Sequence, residues 1–300
     1  MKAAGVVAVA SGLCAWSCAR LGVPLVQANL PPAAIYQRGT NQFAQADFYK
    51  PAEAKTNEPA YALAPLILQE VAGAGEPLSQ PDRFGTLNLS NGLWALDRSP
   101  PCVYWHADVV TIGGKARARL AYLWFYPGAT ARLRRAPCRE ASDQGDGSLV
   151  VQGVRLTLNS AGQPVIWETL TDSSGARLIF VSQSLEAAAA ARFGKALPGR
   201  RYAVERSITE APDVIVARVI DDGPVAMGPI IYLSAGTRSV STLICRCMPA
   251  QVKTLRTTTT YDLLPLPAIP SDLLPPTPAF WPRDAAGDNG LEQWLRLPNF

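Results

Sequence analysis

From about residue 93 the apolar residues recur with a period of two, the repeat of a half-buried strand. Residues 103–112 are rich in aromatic and β-branched side chains, Gly113-Gly114 follows, and residues 118–126 resume the pattern. Two such runs joined by Gly-Gly predict a hairpin. Residues 149–158, 165–170 and 177–181 are separated by the turn-forming stretches Asn159-Ser160-Ala161-Gly162 and Asp172-Ser173-Ser174-Gly175, and predict a three-stranded meander. Leu178, Ile179, Phe180 and Val181 leave no polar side, so this strand is expected to be covered on both faces. The expected cover is a helix over the alanine run that follows. Ser184 is its expected cap, Glu186 suits its positive end, Gly194 lies past its close, and Leu185, Ala189 and Phe193 share one face. Strands are expected again at 213–220, 230–233 and 240–247.

The flanks read differently. Residues 29–58 are polar and carry Pro31-Pro32, which suggests an extended arm; residues 61–71 suggest a short helix beginning near Pro65. Seven prolines fall between Leu263 and Pro282, which excludes a helix or a central strand there and favours extended geometry. Residues 291–297 suggest one helical turn anchored by Trp294. The expected fold is therefore α+β, with mainly antiparallel sheet, a few covering helices and an irregular proline-rich carboxy-terminal segment. The expected organisation is a signal or anchor over 1–28, an arm with a short helix over 29–92, a β-rich core domain over 93–262 and the proline-rich extension over 263–300.

Charge and cysteine usage place this fold. Lys2 is followed by an uncharged run from residue 3 to residue 19, and Val26-Gln27-Ala28 offers small residues at a cleavage site, the order of a secretory signal. Arg20 interrupts it, and an uncleaved amino-terminal membrane anchor is the alternative, short for a span. The expected location is secreted, periplasmic or cell-envelope, with any membrane or envelope association made through the amino terminus. The formal net charge of +4 falls to +2 once Lys2 and Arg20 are removed (4 − 2), too little for a nucleic-acid partner. Arg132-Leu133-Arg134-Arg135 is a short basic run that reads as a solvated loop. Removing the signal leaves Cys102, Cys138, Cys245 and Cys247, and an even count in an oxidising compartment suggests two disulfides. Cys245 and Cys247 on one strand would lie about 6.6 Å apart, so each is expected to bridge to Cys102 or Cys138.

The chain has one histidine, His106, which excludes a metal site built from several histidines within one chain. No nucleophile elbow, phosphate loop or dinucleotide turn is present. On a strand, Tyr104, His106 and Asp108 share one face, so His106 beside Asp108 is a candidate base, with Tyr104, Tyr122 and Trp124 as candidate binding residues. A two-residue hairpin loop places His106 opposite Ala121; a three-residue loop places it opposite Tyr122. The plainer reading is a polar strand face with one well-bonded histidine. Glu168, between Ile166 and Leu170, is a second candidate acid. A metal or haem site through Cys102, His106, Cys245 and Cys247 is a further alternative, although the spacing is not that of a zinc finger; the leading reading expects no metal or cofactor. The function expected first is non-catalytic binding or structure in an exported protein, with an extracellular hydrolase or lyase as the alternative.

Overall fold

A computed structural model describes residues 43–52, 58–71, 83–90, 93–127, 149–169, 177–194, 214–236, 238–246, 252–267, 291–292 and 295–300. The expected β-rich character is there. Cys102–Ile112 (β5) and Lys115–Pro127 (β6) form the hairpin, turning at Gly113 and Gly114, both with positive φ. Leu149–Leu158 (β7), Pro164–Thr169 (β8) and Arg177–Ser182 (β9) form the meander. Val214–Ile220 (β10), Pro229–Leu233 (β11) and Val240–Cys245 (β12) are the later strands. Gln183–Phe193 (α2) covers β9, with Leu185 and Ala189 buried. Its cap is Ser182, whose Oγ accepts from the Leu185 amide. Ser184, the expected cap, instead donates from its amide and hydroxyl to Asp222 at 2.9 and 3.0 Å.

The flanks differ more. Phe43–Pro51 (β1) and Leu66–Glu70 (β2) lie inside the sheet, and Pro59–Ala62 (α1) is a single helical turn before β2. The helix expected from Pro65 is thus a strand. Lying between β1 and β11, it is buried on both sides, and a short apolar run buried on both sides has no readable period. Val252–Pro265 (β13) runs into the proline-rich region. Thr86–Ser90 (β3) and Leu93–Asp97 (β4) form a separate hairpin.

The main sheet has the order β10-β9-β8-β7-β6-β5-β13-β1-β2-β11-β12 and is curled. It is mixed, which corrects the mainly antiparallel expectation. β13 runs parallel to both neighbours, β1 and β5; β2 runs parallel to β11, and β9 to β10. For two of these four parallel pairings the physical reason is β13. As the last strand it enters between strands made much earlier, in a direction no hairpin fixes. A bulge falls between its residues Leu255 and Thr258. Its first part belongs to the β1–β2–β11–β12 side and its last part to the β5 side, as expected where a strand passes round a corner.

The curl wraps one apolar core. Tyr122, Trp124 and Tyr126 of β6, Leu156 of β7 and Phe180 of β9 pack with Ile67 of β2, Ile231 of β11 and Leu243 of β12. The two flanks also meet through polar bonds: Tyr126 donates to Gln69 Oε1 at 3.2 Å, and Arg238 donates to the Pro127 carbonyl at 3.0 Å. The α1 turn plugs this core. Tyr122 donates to the Ala60 carbonyl and Tyr261 to the Pro65 carbonyl, each at 2.7 Å, and Arg246 donates to the Ala64 carbonyl. These donors satisfy main-chain acceptors that burial would otherwise leave bare.

Candidate functional site

The convex face of β5–β8 holds the acids and the histidine singled out by sequence. Alternation and register set them in rows. Because the hairpin loop has two residues, His106 pairs with Ala121 and Asp108 with Arg119. On the next strand Ala121 lies beside Arg155 and Arg119 beside Thr157; Arg155 then lies beside Glu168. One row thus reads His106, Ala121, Arg155, Glu168, and the next reads Asp108, Arg119, Thr157, Ile166.

Each carboxylate is taken by an arginine on the neighbouring strand. Arg119 Nε donates to Asp108 Oδ1 at 2.8 Å, and its Nη2 bonds Oδ2. Arg155 Nε and Nη2 donate to Glu168 Oε2 and Oε1 at 2.8 and 2.7 Å, and Glu168 has no exposed surface (0%). These are two-pronged, charge-assisted pairs of the strong kind. His106 is half-buried, and among the described residues no hydrogen bond reaches its imidazole. Asp108 is held by Arg119 and makes no hydrogen bond to the imidazole. Three strand spacings separate His106 from Glu168, on the order of 14 Å between main chains.

The expected aromatic companions part company. Tyr104 shares the face of His106 and donates no bond towards it; its hydroxyl accepts from the Leu87 amide at 2.7 Å, and burial pushes its pKa up. Tyr122 and Trp124 point into the concave core, both wholly buried, and burial pushes Tyr122 well above its ordinary range. Neither Cys102 nor Cys245 is in a disulfide. Cys102 is buried among Leu87, Tyr104, Leu123 and Phe125 on the convex side, whereas Cys245 packs against the concave core. A bridge between them, one of the pairings left open, is therefore absent: the two sulfurs belong to opposite faces of the sheet. Cys138 and Cys247 lie outside the described residues, as do the Arg132–Arg135 run, Trp294 and the amino-terminal 28 residues. Among the described residues no three His, Cys, Asp or Glu side chains group as metal ligands.

No family model, curated protein or solved structure matches this chain. Function must therefore be read from the face itself.

Sequence reasoning missed the arginines. Arg117 is buried with the Phe300 ring 5.1 Å from its guanidinium carbon, and Arg119 and Arg155 hold the acids. The signal was there for Arg119: counting back from a two-residue turn at Gly113-Gly114 sets it opposite Asp108. Arg155 needed the register across the β6–β7 connection, which no short motif fixes.

Proposed function

We propose that the protein is an exported, non-catalytic binding or scaffolding protein. The observation that carries this reading is the engagement of both candidate acids by arginine. A general acid must hold a proton and reach its substrate. Glu168 has both oxygens bonded to Arg155 and no exposed surface, and Asp108 is bonded through both oxygens to Arg119. A glycosidase pair would also need two free carboxyls facing one gap. Export rests on the amino-terminal sequence: Lys2, the uncharged run to Ala19 and the Val26-Gln27-Ala28 exit. Disulfides among the described residues lend it no support, since neither Cys102 nor Cys245 is bridged.

The test incubates the purified mature protein with a panel of polysaccharides, peptides and esters, and measures its intact mass after expression with residues 1–28 present. Mass consistent with a chain beginning at Asn29, and no turnover above a blank, are the expected results. Turnover that vanishes in His106→Ala or Glu168→Gln would replace this reading with the hydrolase one.

A further inference from the structure

Among the described residues the first part of β13 has an open edge, and the reason is visible in the main chain. Asp262 donates its amide to the Pro101 carbonyl on the β5 side, while the Tyr261 carbonyl accepts from Ala52 on the β1 side. In a parallel ladder this alternation continues, so Thr258 and Thr260 turn their amides and carbonyls towards the line of β5. β5, however, begins at Cys102, and Pro101, next along that line, has no N–H to offer the Thr260 carbonyl. Among the described residues no strand lies beside Thr258 and Thr260 on that side. Lys253, Thr254, Leu255, Thr257, Thr258 and Thr260 are all exposed. A row of unsatisfied main-chain groups on an exposed strand is a template for another strand.

We infer that this edge docks an extended acidic segment of a partner protein, which adds as a strand next to Thr258 and Thr260. The inference rests on the non-catalytic binding role proposed above and names its site. Charge selects the partner. Lys253 is exposed on the edge strand and exposed Lys50 is paired with Thr260 on β1, whereas the charge of Arg256 is answered by Asp47 at 3.7 Å. Asp262 stands at the closed end, so the acidic residues of the partner belong at the Lys253 end. Main-chain pairing supplies affinity in this mode and side chains supply choice. A second copy of the chain fits less well. Edge-to-edge pairing about a two-fold axis would set two copies of the same cationic stretch side by side, with Lys253 and Lys50 meeting no opposite charge at that end.

The probe is a fluorescein-labelled peptide, acetyl-Glu-Val-Glu-Val-Glu-Val-amide, titrated into the full mature protein and followed by anisotropy. It should bind at least tenfold more tightly than its Lys-Val counterpart and than a version N-methylated at alternate amides, with affinity falling as salt rises. Thr260→Pro removes only an outward amide and spares the β1 ladder; it should keep the unfolding midpoint and lose at least tenfold in binding. Equal binding of all three peptides, or undiminished binding by a folded Thr260→Pro, overturns the inference. So does self-association on sizing, which would make a second copy the occupant. Slow hydrogen exchange at the Thr258 and Thr260 amides in the free protein would also overturn it, by showing that the chain fills its own edge. Mass spectrometry of the recovered peptide keeps the two readings apart: cleavage defeats the non-catalytic role, whereas an intact but unbound peptide defeats only the docking site.

Discussion

The convex face turns on single side chains, and its arginine pairs are the place where one atom changes most. Glu168→Gln leaves the Arg155 guanidinium buried without its counter-charge, a change that costs about 3–5 kcal/mol in pairs of this kind. The expected outcome is a large fall in the urea midpoint. Replacing both partners with leucine should recover much of it, because the uncompensated charge goes too. Recovery by Glu168→Gln of wild-type stability would mean that the pair is not the constraint its geometry implies. Two other residues predict the alkaline behaviour. Burial raises the Cys102 thiol from 9.0 to about 11 and the Tyr49 phenol from 10.0 to about 12. Both groups are neutral when protonated, so above pH 9 the unfolded chain sheds protons that the folded chain keeps, and folding loses ground as pH rises. Stability should be intact below pH 9 and decline through about 11 and 12 as the two groups titrate in the folded state. Urea titrations at pH 7 and pH 10.5 check this; equal midpoints would count against it. At pH 8 iodoacetamide should modify Cys245, which is partly exposed, long before Cys102, as peptide mapping would read.

Among elements, the α1 turn and α2 carry opposite lessons. α1 has no side-chain cap and only four residues, so it exists because the core holds it. Gly228 is part of that hold. A methyl group there would overlap the carbonyl oxygens of Leu63 and Ala64, so Gly228→Ala must shift the turn away from Tyr122, Tyr261 and Arg246. A loss of about 1–3 kcal/mol is the scale for such overpacking, read as a lower thermal or urea midpoint. α2 is self-signalled. Ser182→Ala should cost about 1 kcal/mol, the worth of an N-cap bond, and Ser184→Ala should act through Asp222 instead. The same contrast explains what the sequence made legible. The β5–β6 hairpin, the β7–β9 meander and α2 are local: their turns, caps and periods lie within their own residues. β1, β2 and β13 are not local. The Thr257–Thr260 run has no alternation of apolar residues because its side chains are largely solvated, and β13 ends at Pro265, within the stretch where proline density had excluded a central strand. At the face, the sharing of one side by His106 and Asp108 was legible from alternation, whereas the arginines that occupy the acids came only with register.

At the scale of the molecule, β13 is the member that joins the two flanks. β5–β10 and β1–β2–β11–β12 meet in the sheet order only through it. Side chains reinforce the seam: Tyr261 is wholly buried and bonded to Pro65, and the bond from Tyr61 to the Leu263 carbonyl spans 202 residues of chain. Closing so long a loop brings no return until its last contacts form, so the fold should complete only once residues 252–265 are available. Two truncated chains separate this effect from that of the carboxy-terminal segment. One ends after Met248 and lacks β13; the other ends after Pro267 and keeps it, while losing the convex-face packing of Leu291 and Leu295. The longer chain should unfold cooperatively at a lowered midpoint. The shorter one should lose the near-ultraviolet circular dichroism of its buried tryptophans and show no cooperative transition, because Trp124 and its neighbours are packed only when the two flanks are drawn together. A sharp transition in the shorter chain would mean that the flanks associate through the concave core alone, with β13 laid over a join already made.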